Sequence, residues 1–159
     1  MPHTIEATLL AGDYSFALVL SRFNEFVTKR LLESALDCLR RHGASDDRVD
    51  VVYCPGAFEL PQVAQQLAGT KKYDAIVCLG CVIRGETPHF EYIANAAANG
   101  LQRVAQLSGV PMIFGVLTAD SLEQAIERAG AKAGNKGWDA ALNAIEMANL
   151  SKMLAKRKR

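Results

Sequence analysis

Residues 74–92 read DAIVCLGCVIRGETPHFEY, and this stretch decides the fold. Its first part, 74–80, is a short apolar run bounded by turn signals, which predicts a buried strand. A glycine turn follows, and from 88 to 108 apolar residues recur at helical spacing. Strand, turn and helix in this order are typical of one unit of a parallel α/β sheet.

The same unit repeats on both sides of this stretch. Further buried strands are predicted at 16–21, 49–54 and 111–117, and further helices at 25–42, 58–69, 120–130 and 136–156. The alternation predicts one α/β domain over 1–159, with a central parallel four-stranded sheet and helices on both faces. A weaker strand at 4–10 stands outside the alternation and is expected at a sheet edge or on the sheet of a neighbouring subunit.

Bulk composition restricts the class of protein. The 159 residues are 50% hydrophobic and 22% charged, with a net charge of +1, so neither a disordered chain nor a nucleic-acid-binding surface is expected. No apolar run approaches membrane-spanning length, and the amino terminus lacks the order of a signal peptide. We therefore expect a cytoplasmic protein with no membrane partner.

The cysteines and histidines do not predict a metal site. Cys78 and Cys81 have CxxC spacing, but residues three apart in a strand point to opposite faces and cannot share an ion or a disulfide. The three histidines, at positions 3, 42 and 89, have no partner at ligand spacing.

Ligands of open parallel sheets bind beyond the carboxyl ends of the strands, so the segments after each strand are the candidate site. After the first strand, Phe23 is either a stacking ring or core, and Asn24 either contacts a ligand or caps the next helix. After the second strand, PGAFELP at 55–61 either forms a tight connection, with Glu59 stabilised by the helix dipole, or faces a planar ligand.

The segment after the third strand nearly matches the phosphate loop of nucleotide-binding proteins. Glu86 stands where that motif has lysine, and it would repel terminal phosphates, so an ATPase is excluded. A glycine turn that feeds a helix, with Thr87 as N-cap and Pro88 as first helical residue, can still hold one phosphate on free amides. His89, otherwise structural or exposed, would then lie beside an anion and could transfer protons.

Two later segments complete the set. Phe114 in FGVLT is either a ring of the site or core, and Ser121 begins a helix with Glu123 or Gln124 as capping-box partner. The run RAGAKAGNKG at 128–137 is either a basic, anion-binding loop or a helix break with solvated lysines.

Taken together, the segments RFN, PGAFELP, GCVIRGETPHFEY, FGVLT and RAGAKAGNKG resemble, in order and spacing, the lumazine synthase family over nearly the whole chain. The resemblance implies a flavodoxin-like three-layer fold and the penultimate step of riboflavin biosynthesis. In that step 5-amino-6-(D-ribitylamino)uracil condenses with 3,4-dihydroxy-2-butanone 4-phosphate to give 6,7-dimethyl-8-ribityllumazine and inorganic phosphate. No cofactor or metal is implied.

The resemblance also assigns roles residue by residue. His89 resembles the proton-transfer residue. The residues that would contact the ribitylaminouracil are Phe23, Ala57, Phe58, Glu59, Cys81, Val82, Ile83 and Phe114. Those that would contact the butanone phosphate are Glu86, through its backbone amide, Thr87 and Arg128. Asn24, Lys136 and Asp139 also fall in matching segments, without an assigned role.

Assembly is implied as well. In the family's pentamers, a helix that matches the one beginning at Pro88, with its small-residue run 94–100, lines the fivefold axis. Closure into an icosahedral particle is associated with a loop like 130–135, and riboflavin synthase is a further expected partner. Two alternatives stay open: a flavin- or lumazine-binding module without turnover, and an inactive shell-forming homologue.

Overall fold

Strands and helices alternate along the part of the chain that the computed structural model describes, residues 1–131 and 134–157. The strands are β1 (Phe16–Ser21), β2 (Val49–Cys54), β3 (Ala75–Ile83) and β4 (Met112–Ala119). The helices are α1 (Glu25–Arg41), α2 (Leu60–Gly69), α3 (His89–Ser108), α4 (Leu122–Arg128) and α5 (Lys136–Arg157). Short 3₁₀ turns precede β2 at Asp46–Arg48 and α2 at Ala57–Glu59.

The four strands form one parallel sheet in the order β2-β1-β3-β4. One buried cluster lies between the sheet and helices α1, α4 and α5, and a second lies between the opposite face and helices α2 and α3. The central strands β1 and β3 are buried on both faces and almost entirely apolar, which is why short apolar runs predicted them, whereas the edge strand β2 also carries exposed Asp50 and Tyr53. The predicted three-layer α/β fold is confirmed.

The helices of the first face approach each other closely. A Cβ atom built at Gly137 of α5 would overlap the carbonyl oxygen of Leu31 in α1 and stand 2.7 Å from its carbonyl carbon. On the other face, a Cβ at Gly100 of α3 would stand 2.7 Å from the Cγ of Pro61 in α2. Both crossings therefore favour glycine. A side chain at Gly137 would collide with main-chain atoms of Leu31, and one at Gly100 would collide with the ring of Pro61.

Predictions about three strands were wrong. The third and fourth strands continue to Ile83 and Ala119, three and two residues beyond their predicted ends, because β3 pairs with β4 as far as Ile83 opposite Ala119. The predicted strand at 4–10 is not a strand within this chain. Instead the Nδ2 of Asn149 in α5 donates to the carbonyl oxygens of Thr8, at 3.1 Å, and Leu10, at 3.0 Å. Pairing of this segment with a neighbouring subunit stays a prediction.

A search of the helices within the described ranges finds none long and apolar enough to cross a membrane.

Candidate active site

A cavity of about 380 Å³ lies where β1, β2 and β3 end. It gathers residues from four separate parts of the chain, because parallel strands bring their carboxyl ends to one edge of the sheet. Its lining residues are Phe23, Pro55, Gly56, Ala57, Phe58, Glu59, Cys81, Val82, Ile83, His89, Phe90 and Ile93. Eight of the residues chosen from the sequence are among them.

Two aromatic rings are exposed around this cavity. Phe23 is 71% exposed and Phe58 is 59% exposed, so neither belongs to the core. Exposed phenyl rings beside a cavity offer flat apolar faces on which a planar heterocycle can stack. The alternative of a core role for Phe23 is thus wrong.

The turn from β1 to α1 is fixed by Asn24. Its backbone is left-handed, with φ 62° and ψ 44°, a conformation that asparagine tolerates better than most residues. Its side chain does not cap α1; instead Nδ2 donates to the carbonyl oxygen of Cys81, 2.9 Å away. Asn24 therefore links the exits of β1 and β3, and the helix-cap alternative is wrong for its side chain.

The turn after β2 is joined to the turn after β1 by main-chain hydrogen bonds. The N–H groups of Arg22 and Phe23 donate to the carbonyl oxygens of Cys54 and Pro55, at 2.9 and 3.0 Å. These bonds extend the β1–β2 pairing past the strands, so Phe23 and the 55–59 segment keep a fixed separation. Glu59 is half-buried and lines the cavity, which suits the ligand-facing alternative without excluding the dipole one.

The cysteines near the cavity are protonated thiols. Burial raises the pKa of Cys81 to about 11. Burial and, to a smaller extent, the Glu59 carboxylate raise the pKa of Cys54 to about 11. Cys78 and Cys81 belong to clusters on opposite faces of the sheet, as their spacing predicted. Because the Cys81 side chain packs on the α1 face, we expect its main chain to face the cavity.

The loop from β3 to α3 is exposed throughout. Gly85, Glu86, Thr87 and His89 all lie at the surface, and only His89 among them lines the cavity. The prediction of Thr87 as N-cap was wrong: α3 begins at His89, Pro88 takes the N-cap position, and no side chain caps it. Proline can occupy this position because its missing N–H would have no helical partner.

Phe114 and Arg128 do not line this cavity. Phe114 is 37% exposed on the edge strand β4, beside Met147 of α5, so a core role is wrong. The Arg128 side chain is exposed, and its Nη1 donates to the carbonyl oxygen of Thr118, also on β4, at 3.1 Å. Within one chain, these two predicted site residues therefore lie on the β4 edge and not with the other rings and His89.

The helix that carries Arg128 begins as predicted. The Oγ of Ser121 accepts from the Gln124 N–H at 3.1 Å, and the Gln124 Oε1 accepts from the Asp120 N–H at 2.8 Å. Gln124, and not Glu123, is thus the capping partner, although its side chain accepts from the N–H of Asp120, one residue before the N-cap Ser121.

The segment before α5 was only partly understood from the sequence. Lys132 and Ala133, which belong to the loop associated with particle closure, lie outside the described residues. Asn135 accepts from the N–H of Gly137 at 2.7 Å and donates to the carbonyl oxygens of Ala129 and Arg30. Lys136 and Asp139 are exposed and line none of the cavity around Phe23.

Four cavity residues, Pro55, Gly56, Phe90 and Ile93, received no role from the sequence. Pro55 and Gly56 lie in the PGAFELP segment, whereas Phe90 and Ile93 lie in the first turns of α3, and Ile93 follows His89 by four residues, on the same helical face. That spacing was the available signal. Among the described residues, no group of three or more histidine, cysteine or acidic side chains could hold a metal ion.

The fold and the cavity define a flavodoxin-like α/β protein with two exposed phenylalanine rings and a histidine around the cavity where three of its strands end. A family model described as 6,7-dimethyl-8-ribityllumazine synthase matches residues 13–152. The 6,7-dimethyl-8-ribityllumazine synthase of Chlorobium luteolum is 58% identical over 146 residues, which cover 92% of this chain and 94% of that protein. The chain therefore belongs to the 6,7-dimethyl-8-ribityllumazine synthase family, and it is an enzyme, a transferase of riboflavin biosynthesis.

Proposed function

We propose that this chain condenses 5-amino-6-(D-ribitylamino)uracil with 3,4-dihydroxy-2-butanone 4-phosphate, and releases 6,7-dimethyl-8-ribityllumazine and inorganic phosphate. One observation supports this most strongly. The exposed ring of Phe23, the 57–59 turn, the end of β3 and His89 meet around a single cavity, although they come from distant parts of the chain.

The pyrimidine amine would occupy the cavity itself. Its ring stacks on Phe23, whose face is free, while the turn at 57–59 and the end of β3 at 81–83 meet the ring edge and the ribityl chain. Glu59 is the acidic group at this position, and a carboxylate accepts hydrogen bonds from ribityl hydroxyl groups.

The butanone phosphate would bind between the β3–α3 loop and an arginine of a neighbouring subunit. The amides of Glu86 and Thr87 precede α3, where the helix dipole favours an anion. Arg128 contacts Thr118 on the β4 edge of the sheet and does not line its own chain's cavity, but its side chain is exposed at that edge. An exposed guanidinium next to an edge strand can reach into the cavity of an adjoining copy, and exposed Phe114 would accompany it.

The protein's contribution to the chemistry is mainly orientation. The pyrimidine substrate supplies its own amine, so an imine forms with the ketone without a catalytic lysine. Elimination of phosphate, enolisation and ring closure then need a proton carrier, and His89 is the titratable ring at the cavity. Arg128 and the loop amides stabilise the departing phosphate.

Such a shared site requires adjoining subunits, and we propose a pentamer that closes into an icosahedral particle. Helix α3 carries the small-residue run 94–100, and a groove between α2 and α3 exposes apolar side chains, with Leu107 75% exposed. Cytoplasmic location and partnership with riboflavin synthase follow from the family resemblance. A stable monomer or dimer in analytical ultracentrifugation would contradict even the pentamer.

The first experiment mixes the purified protein with both substrates and follows lumazine absorbance and phosphate release. A rate no faster than the uncatalysed condensation, with tight binding of lumazine or flavin, would favour the binding-module alternative. The same result with intact particles and no ligand binding would favour the inactive shell.

The second experiment tests the shared site by complementation. His89→Ala and Arg128→Ala subunits, each impaired alone, are co-assembled in equal amounts, and about one quarter of the sites then regain both residues from two adjoining chains. Specific activity should exceed the mean of the two variants. The matched control co-assembles His89→Ala with Glu59→Ala. Because both residues line one chain's cavity, no native site returns and no gain is expected.

A further inference from the structure

Arg84 connects three elements and directly follows Ile83, which lines the cavity. Its N–H donates to the carbonyl oxygen of Ala119 at 2.8 Å, and its Nε donates to Oδ1 of Asp120 at 2.9 Å. Its Nη1 lies 3.7 Å from Oε1 of Glu91, and its guanidinium carbon lies 4.8 Å from the ring centroid of Phe90. One side chain thus bridges the end of β3, the corner after β4 and the first turn of α3.

The loop that Arg84 spans has little else to hold it. No N–H group or side chain of Gly85, Glu86 or Thr87 donates a hydrogen bond to another described residue, and a Cβ at Gly85 would meet nothing within 4 Å. The amides that would hold a phosphate are therefore free, and their position depends on the residues at the two ends of the loop. Phe90, under the guanidinium, lines the cavity next to His89.

Arg84 itself is not available as the phosphate-binding cation. Its hydrogen bond to Asp120 raises its pKa above the ordinary value, and Glu91 adds a second carboxylate on the other side. Two acidic groups around one guanidinium leave this corner without net positive charge. A cation for the phosphate must then come from elsewhere, which agrees with the proposed use of a neighbour's Arg128.

We propose that Arg84 is a positioning residue for the β3–α3 loop, and that Asp120 is the partner through which it acts. The pair fixes where the first turn of α3, with His89, stands relative to the sheet edge. The inference rests on the proposed function for its ligand, the butanone phosphate.

The size of the effect follows from exposure. The side chains of Arg84 and Asp120 are 49% and 67% exposed, and ion pairs of this kind add little to stability. Loss of the pair should therefore leave folding nearly unchanged but reduce the fraction of molecules whose loop is correctly set. Apparent affinity falls in proportion to that fraction, so we expect a KM for the phosphate substrate about 2- to 5-fold higher, the range that an exposed pair can supply.

The test uses Arg84→Lys and Asp120→Asn in the full-length assembled enzyme. Both should raise KM for the butanone phosphate more than KM for the pyrimidine amine, with melting temperatures close to wild type. An Arg84→Ala, Asp120→Ala cycle should be non-additive, the double variant being no worse than the worse single one. Asp37→Asn is the matched control, since it removes another exposed Arg–Asp pair, 3.0 Å to Arg41 on α1, remote from the cavity.

Two outcomes would overturn the assignment: unchanged KM values in both variants, or equal losses for both substrates in proportion to lost stability. Inorganic phosphate binding, measured by calorimetry on the same proteins, separates this from failure of the proposed function. If wild type binds phosphate but does not turn over, the proposed function fails, while weaker phosphate binding by Asp120→Asn still supports the role of Arg84.

Discussion

Replacement of Gly137 by alanine tests how the helices of one face are held together. The added Cβ would overlap the Leu31 carbonyl oxygen and stand 2.7 and 2.8 Å from its carbonyl carbon and Cα, all main-chain atoms of α1. Helices α1 and α5 would have to separate by about 1 Å, which forfeits a large part of the dispersion energy of the side chains between them. The residues buried between α1 and α5 include Ala35, Ala141 and Ile145.

Overpacking of this kind typically costs ~1–3 kcal/mol, and contact with main chain puts Gly137→Ala at the upper end. The helix propensity of alanine returns about 1 kcal/mol. We expect a net loss of ~2 kcal/mol or more in the free energy of unfolding, and a melting temperature lower by about 4–8 °C. Thermal and urea denaturation of the assembled protein measure both.

The matched control is Gly69→Ala at the end of α2, where a Cβ would meet nothing within 4 Å. That variant should be neutral or more stable by up to about 1 kcal/mol. Gly100→Ala should fall between the two, because its obstacle is the ring of Pro61, a side chain. If Gly137→Ala melted as high as Gly69→Ala, the claim of a main-chain contact between α1 and α5 would be refuted.

Three further predictions concern the cavity and its floor. Asn24→Asp replaces the donor to the Cys81 carbonyl oxygen with a carboxylate that repels it, so kcat/KM for the pyrimidine amine should fall several-fold. Asn24→Gly also lacks the donor, but it adds no repulsion and keeps the left-handed turn, so it should lose less; steady-state kinetics that rank the two the other way would contradict this. The pKa values of Cys54 and Cys81 are raised from 9.0 to about 11, so the unfolded chain loses these protons first and stability should fall as pH rises from 9.0 to about 11. The check is the urea midpoint of the wild type and of Cys54→Ala at several pH values across that range. If the midpoint fell equally steeply with pH in both proteins, the Cys54 thiol would not contribute and the prediction would be wrong. Ser21→Ala should not destabilise the protein, because the buried Ser21 Oγ has no hydrogen-bond partner among the described residues; a melting temperature well below wild type would show that the hydroxyl is satisfied.

The sequence predicted what depends on local pattern. Each apolar run became a strand, and the turn segments after β1, β2 and β3 met at one edge, because parallel strands must end together. The motifs and the family resemblance accordingly named eight of the twelve residues that line the cavity. Helix starts were less secure, as at Thr87, because a helix can begin one residue later without changing its periodicity.

What the sequence could not predict depends on partners far along the chain. The Asn135 side chain donates to the carbonyl oxygen of Arg30 in α1, 105 residues away. Gly137 must be glycine because a side chain there would overlap the main chain of Leu31, also in α1. The 128–137 run therefore owes some of its glycine and asparagine to packing, whereas its composition had suggested only an anion loop or a helix break. Arg84 was missed for the same reason, since its four partners, Ala119, Asp120, Glu91 and Phe90, converge on it only in the fold.

The unequal approach of the helices gives the two faces of the sheet different stiffness. Main chain meets main chain where α1 crosses α5, whereas Gly85, Glu86 and Thr87 before α3 donate no hydrogen bond to another described residue. Amide hydrogens in the middle of α5 should thus exchange with solvent far more slowly than those of residues 85–90. A phosphate bound by those amides, as proposed, would fix their positions, so part of its binding free energy would offset the conformational entropy that the loop loses. Substrate binding should therefore order residues 85–90 and slow the exchange of their amide hydrogens.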